Sequence, residues 1–364
     1  MIFQWYLFVL LAFIATFAPV LGLVYESTEY EQVHKKYTWL PVLMLIIPMV
    51  LLAANRINLH FADTSAYVNW FRSFPSTLLE LPKYLQTVQK DKGFTVFSTI
   101  IKSIIGNNVE LYFGIIAFIC LISIAYGFKN LSCNFAMSMF LFIASGEYLQ
   151  WCYNGIRQFI PVAILFAASV MLLKRRYVLY ILLIVLLSTI HGTALFLIPM
   201  IFVVKGDAWN FKTFILSTII IVAIVYVDHF TGLVTYFMEN SVYNNEVDQF
   251  LYSKGTNILR VLVFAIPPLL SLIFKKQIDA ENNDLLNLSV NMSIVSMDIY
   301  IVSAFTSGLF IGRLPIYFSL YNYILIPWIV EHVFQKESRF FAYLIIIIAY
   351  MLFYYYQTSI TWGL

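Results

Sequence analysis

The sequence predicts an all-α polytopic membrane protein. Two observations carry that class. Hydrophobic residues make up 61% of the 364 positions and charged residues only 11%, where a soluble domain carries about 25% charged residues. The apolar residues are also gathered into long unbroken runs, with a mean hydropathy of +0.83; a barrel strand would alternate over about ten residues instead. A net charge of +3 gives no footprint for nucleic acid. Cys120, Cys133 and Cys152 lack metal-ligand or disulfide-framework spacing and read as packing residues.

Taken in order, runs long enough to cross a bilayer lie at about 2–24, 39–54, 109–127, 131–151, 155–173, 211–228, 257–274, 287–309, 314–334 and 340–357. They predict about ten transmembrane helices in one transmembrane domain, 1–364. The first run, Ile2 to Val24, has no basic n-region and no small-x-small cleavage site, so it reads as a retained helix. The segment 55–108 is too polar to span and predicts short surface helices. "DTSAYVNWFRSF" has Asp63 as a candidate N-cap. "GFTVFSTIIKSII" is amphipathic, with Lys102 expected on the face away from the apolar stripe, and suits a membrane interface. The acidic, tyrosine-rich stretch 229–256 predicts a loop.

The stretch 177–204 is long for one crossing and short for two. Charge decides how to read it. Lys174-Arg175-Arg176 is the densest basic cluster in a short loop and belongs in the cytoplasm. A single crossing by 177–204 would then put Lys205, Lys212, Lys275, Lys276 and the Lys336–Arg339 loop outside. A re-entrant hairpin removes the conflict. Two half-helices would meet near Ser188–Gly192, each about 20 Å long against a hydrocarbon core of about 30 Å. Such a tip is tolerated only inside protein or a wet cavity. With this topology 55–108, 229–256 and the turn at Arg313 lie outside, and His191 sits at a tip open to the outside.

An ionisable group at membrane depth costs roughly 2.5 kcal/mol or more and is a functional candidate by default. Arg157, in "WCYNGIRQFIP", falls in the first turn of a helix that Asn154 is placed to cap. The macrodipole opposes a cation there, so an acid or anion should compensate. His191, in "LLSTIHGTALFLIP", is either a base with an unperturbed pKa near 6.5 or a neutral ring bridging helices. Arg313, in "SGLFIGRLPIYF", sits at a helix break. Asp63 is an N-cap, an ion partner for the arginines, or a rival base. Arg260 and Lys92 are weaker cations of the same outer set; the plainer reading of Arg157 is a side chain that snorkels to headgroups, and that of Arg313 a loop arginine at an interface. Several cations with one imidazole and one carboxylate suit an anionic, lipid-linked substrate, and guanidinium forks match a pyrophosphate bidentately. Tyr67, Trp70, Tyr148, Trp151, Tyr153, Tyr243, Tyr252 and Tyr317 are placed to stack on sugar rings or to form an ordinary aromatic belt. There is no P-loop, Gly-rich nucleotide fingerprint, HExxH or GxSxG, so no cofactor, metal or nucleotide donor is expected.

The order of "DTSAYVNWF", "KDKGFTVFSTIIKSI", "NGIRQFIPVAILFAASVMLLKRR", "LLSTIHGTALFLIP" and "GRLPIYFSLYNYILIP" resembles the EpsG-like family of polysaccharide polymerases, relatives of the Wzy O-antigen polymerases. Pro161 stands where that family more often has a small or aliphatic residue. The resemblance implies a GT-C-type membrane glycosyltransferase in the bacterial cytoplasmic membrane, working on its outer face. The donor and acceptor would be glycans on undecaprenyl pyrophosphate, assembled into O-antigen, capsule or exopolysaccharide, with a flippase and a chain-length regulator as partners. Arg157 and Arg313 would hold the pyrophosphate, Arg260, Gln158, Lys92, Tyr67, Tyr153 and Tyr317 would support binding, and His191 or Asp63 would act as base. Competing readings are a transporter of lipid-linked oligosaccharide, which would more often show related halves, and a membrane O-acyltransferase, which needs fewer cations.

Overall fold

The computed structural model describes residues 2–29, 32–56, 63–241 and 244–361. All ten apolar runs fall on helices. By contacts the chain divides into two compact units, Met1–Leu195 with Val330–Leu364, and Phe196–Ile329.

The first unit opens with α1 (Ile2–Val20) and an antiparallel ribbon, β1 (Val24–Glu29) and β2 (Gln32–Tyr37). It continues through α2 (Trp39–Ala54), α3 (Thr64–Ser73), α4 (Leu81–Leu85), α5 (Lys92–Ile105) and α6 (Val109–Leu131). Then follow α7 (Phe135–Ala144), α8 (Glu147–Tyr153), α9 (Ile156–Ala167), α10 (Val170–Leu173) and α11 (Tyr177–Ser188). α6 is the spine, packed along α2 and along α9. The approach to α9 depends on Gly127: a Cβ there would come 2.4 Å from the Phe166 ring. The neighbouring Phe128 meets the same ring edge-on, centroids 5.1 Å apart, the arrangement an aromatic quadrupole favours.

The second unit holds α12 (Leu197–Val204), α13 (Phe211–Val225), α14 (Val227–Glu239), α15 (Val247–Tyr252), α16 (Ile258–Ile273) and α17 (Lys275–Glu281). α18 (Asp284–Phe305), α19 (Ile316–Ser319) and most of α20 (Asn322–Val333) complete it. α18 is buried along most of its length and packs against α13 and α16. Polar side chains on α18 fasten the rest. Asn291 Nδ2 donates to the carbonyls of Val204, Gly206 and Asp207 while its Oδ1 accepts from the Trp209 N–H. Asp298 accepts from the Ser217 hydroxyl at 2.8 Å. The chain returns to the first unit in α21 (Lys336–Tyr355).

Local sequence explains where helices start. Asn108, Asn134, Asn210, Asn257 and Asn283 each accept a backbone N–H from the first turn that follows. Each satisfies a donor the helix leaves unpaired, typically worth about 1 kcal/mol.

Among the described residues four helices are long and apolar enough to cross a membrane: Val109–Leu131, Ile156–Leu173, Asp284–Phe305 and Lys336–Ser359. Two pairs pass the same test together but are bent, α13 with α14 by 99° and α16 with α17 by 71°; counting each pair as one span gives six. Two other runs that the sequence marks as spans, 131–151 and 314–334, are broken. The run 131–151 divides at Gly146, which has φ +80°, a conformation that costs glycine little.

Several local expectations change. Asp63 occupies the N-cap position of α3, but its side chain makes no capping bond. Asn154 ends α8, and Gly155 is the N-cap of α9. Lys102 lies on the buried face of α5, where Nζ donates to the carbonyls of Arg72 and Phe74. The outward face carries apolar Ile100 and Ile104 instead. The stretch 229–256 is largely helical, in α14 and α15, and Tyr243 lies outside the described residues. The β1–β2 ribbon was not read from its alternating pattern. The helix of 177–204 does break where expected: α11 ends at Ser188, and a 3-10 turn starts at Gly192.

Candidate functional site

In the first unit, the start of α5, the start of α9 and the end of α11 converge on one carboxylate. Asp91 directly precedes α5 with φ 56° and ψ 40°. Left-handed backbone is uncommon for a side chain other than glycine, though Asp and Asn tolerate it best. Asp91 stands at an N-cap, yet its carboxylate makes no cap bond. It faces away from its own helix. Oδ2 accepts from Arg157 Nη1 at 3.0 Å and lies 3.3 Å from His191 Nδ1. The Gly192 N–H donates to the same carboxylate.

The backbone enforces this meeting. The Gly93 N–H donates to the Thr189 carbonyl at 2.8 Å, joining the head of α5 to the tail of α11. A Cβ at position 93 would lie 2.2 Å from Thr189 Oγ1 and 2.7 Å from the Thr189 carbonyl carbon. Only glycine allows that approach. Arg157 is placed by the turn between α8 and α9, where a Cβ on Gly155 would come 2.7 Å from the Trp151 ring. Pro161, inside α9, has no N–H to give the Arg157 carbonyl four residues earlier.

The Arg157 guanidinium lies over the Trp70 ring, 4.6 Å from its centroid. Trp70 meets Tyr67 edge-on at 5.2 Å, both on α3. The Tyr67 hydroxyl accepts from the Arg157 guanidinium and from its backbone N–H. Arg157 Nε is buried without a hydrogen-bond partner. The side chains are graded in depth: Asp91 is 7% exposed, His191 18% and Arg157 24%. The acid is the most deeply buried, and the imidazole and guanidinium are more exposed.

Two titrations follow from these contacts. Burial pushes the Asp91 carboxyl up. The His191 hydrogen bond and charge, the Arg157 charge and the Gly192 N–H outweigh it, and the group is held below its ordinary value. Burial raises the Tyr67 hydroxyl, against the opposing pull of the Arg157 charge. With Nδ1–H donating to Asp91, His191 Nε2 is left as the free acceptor, an orientation assigned from the hydrogen-bond network.

A sequence profile of the EpsG family matches residues 39–361. The chain belongs to the EpsG family. No curated protein matches it significantly, and no solved structure does.

The match covers all the site residues of this EpsG-family chain. Of those the sequence singled out, the structure brings His191, Arg157 and Tyr67 together. Asp63 heads α3 and has no bond to Arg157; the acid that compensates Arg157 is Asp91. Lys92 is exposed at the first position of α5. Gln158, next to Arg157, is buried. Tyr153 is also buried, its hydroxyl 3.5 Å from that of Tyr148. In the second unit, Arg260 places Nε and Nη2 3.3 and 3.2 Å from the Tyr300 hydroxyl. Arg313 ends the one-turn 3-10 helix Ile311–Arg313, and Tyr317 is buried in α19. Among the described residues no group of three or more His, Cys, Asp or Glu side chains is placed to hold a metal ion.

Two residues escaped the sequence reading. Asp91 lies inside "KDKGFTVF", between Lys90 and Lys92. Its signal was a D-K-G immediately before an amphipathic helix. Arg56 follows α2 and is 1% exposed. It stacks 3.5 Å from the Phe113 ring centroid and donates to the Cys152 carbonyl, leaving Nε and Nη2 without partners. Burial lowers its pKa to about 10.

Proposed function

We propose that the chain is a membrane polysaccharide polymerase. It joins oligosaccharide repeat units carried on undecaprenyl pyrophosphate, at the outer face of the bacterial cytoplasmic membrane. The observation that carries this reading is the Asp91–His191–Arg157 cluster, a base, its orienting acid and a cation on one carboxylate, in a chain of the EpsG family.

Each residue has a task in such a transfer. The acceptor sugar hydroxyl gives its proton to His191 Nε2 as its oxygen attacks the anomeric carbon. Asp91 fixes the ring through Nδ1 and stabilises the imidazolium that forms, the division of labour known from acid–histidine pairs. The new C–O bond forms as the bond from the anomeric carbon to the pyrophosphate oxygen breaks. The leaving group gains charge at that moment, and Arg157 meets it with its outward donors. A cation that binds most strongly in the transition state raises the rate rather than only the affinity. Trp70 and Tyr67 keep the guanidinium in place. Direct displacement of this kind inverts the anomeric centre and needs no metal. Arg260 and Arg313 are further candidates for phosphate binding, and a flippase and a chain-length regulator are the natural partners of such an enzyme.

The test is reconstitution of the purified chain with lipid-linked repeat units. A ladder of polymer is expected from the wild type, with single repeats left unextended by His191→Ala and Arg157→Ala. Movement of the lipid-linked unit across vesicles without a ladder would make the chain a transporter, and acyl transfer without glycan growth would make it an acyltransferase.

A further inference from the structure

Helix α3, which carries Trp70, and α5, which follows Asp91, also frame a second feature of the first unit. An open cleft of about 460 Å³ lies beside the end of α3, α4 and the end of α5, within the range of about 300–1,000 Å³ typical of small-ligand sites. Its walls include Arg72, Ser73, Lys83, Tyr84, Thr87 and Asn107. Lys102 lies at its base, where its ammonium pins the Arg72 and Phe74 carbonyls. Three cationic side chains, Arg72, Lys83 and Lys102, and one carboxylate, Glu80, line it, with hydroxyls and an amide among them.

We propose that this cleft binds the acidic saccharide chain at a distance from the reacting bond. The proposal rests on the polymerase reading and deepens it. The excess of cations selects an anion. The Ser73 and Thr87 hydroxyls give their protons to the Trp70 and Tyr84 carbonyls and keep acceptor oxygens, and with the Tyr84 hydroxyl and the Asn107 amide as donors the lining suits a hydroxyl-rich ligand better than a bare phosphate. Position decides the role. Lys102 stands ten residues along α5 from Lys92, about 15 Å at 1.5 Å per residue. The cleft therefore lies beyond the bond made at His191 and holds a part of the chain that is not reacting. Holding a chain at a second point turns its next encounter with the site into an intramolecular event, which raises its effective concentration. The consequence is longer product.

The experiment has a binding arm and a length arm, both on the full chain in detergent. In calorimetric titration, tetragalacturonic acid binds the wild type, and maltotetraose binds more weakly. The Arg72→Gln/Lys83→Gln double variant loses roughly tenfold in affinity for the acidic probe, as expected for two exposed ion pairs. Glu80→Gln binds it more tightly. In the polymerisation assay the double variant makes shorter chains while its first addition proceeds at the wild-type rate. Absence of tetragalacturonate binding by the wild type, equal binding by the double variant, or unchanged product length overturns the proposal. So does an outcome in which the double variant loses only its binding to phosphatidylglycerol vesicles, which would make the cleft a lipid-headgroup site. The binding arm needs no turnover, so a wild type that binds tetragalacturonate but builds no polymer refutes the polymerase reading instead.

Discussion

His191 Nδ1 lies 3.3 Å from Asp91 Oδ2, across 100 residues of chain. The contact fixes which nitrogen of the ring is free. Asp91→Asn keeps the shape but presents an amide that can turn either its oxygen or its nitrogen toward Nδ1. The imidazole then loses both its fixed orientation and the charge that stabilises its protonated form. Polymer formation is expected to fall by roughly 10²- to 10⁴-fold, near the loss caused by removing the base in His191→Ala. Rates of repeat-unit consumption check this, and near-wild-type turnover in Asp91→Asn would remove the acid from the mechanism.

The same carboxylate links stability to pH. Asp91 is held below its ordinary value of 3.8 in the folded chain. A depressed carboxyl contributes stability that is complete above the unfolded value and is lost as the pH falls through the folded one. The contribution should therefore be flat from neutrality down to about pH 5 and decline below about pH 4. Asp91→Asn should weaken that acid-side dependence. Thermal unfolding in detergent across the acid range measures it, and an unchanged acid slope in the variant argues against the ion pairs.

Trp70 is expected to act through Arg157. Its ring lies 4.6 Å from the guanidinium carbon, and Trp70 is 40% exposed. At such a site a cation–π contact is worth about 0.5–1 kcal/mol, so Trp70→Ala should cost several-fold in kcat/KM and Trp70→Phe less. Arg157→Lys should restore little of what Arg157→Ala loses, because an ammonium presents no planar fork to a phosphate. Equal kinetics for the Ala and Phe variants at position 70 would show that the ring face plays no part.

Much of this was legible in the sequence, and the rest was hidden for definable reasons. The ten apolar runs gave the helices because burial in lipid or protein demands long apolar segments. Arg157 and His191 stood out because charge in such runs is costly. The break after Ser188 was visible through the distribution of lysines and arginines. Asp91 was hidden because an aspartate before a helix has a ready local explanation, the N-cap, and only the fold shows that its carboxylate is turned elsewhere. Lys102 was hidden for the opposite reason. A lysine on an amphipathic helix is expected in water, and carbonyls supplied from outside α5, by Arg72 and Phe74, hold it inside. Arg56 gave no signal beyond its place at the end of an apolar run.

Gly93→Ala tests whether the meeting of α5 and α11 sets the site. The added methyl would stand 2.2 Å from Thr189 Oγ1 and 2.7 Å from the Thr189 carbonyl carbon. The side chain can turn aside, but the backbone cannot without moving α11. Overpacking of this kind costs about 1–3 kcal/mol, and the shift would pull Asp91 away from His191. Activity should therefore fall further than stability does. Thr189→Ala should not rescue it, since the carbonyl carbon remains in the way. Gly106→Ala is the control at the opposite end of α5. Unlike Gly93 it has positive φ, at +66°, but no atom lies within 4 Å of the new methyl, so it should lose about 1 kcal/mol of stability and keep its turnover. Thermal unfolding and repeat-unit consumption measured on both variants separate the two effects. A Gly93→Ala chain with full activity would show that the contact with Thr189 does not position the carboxylate.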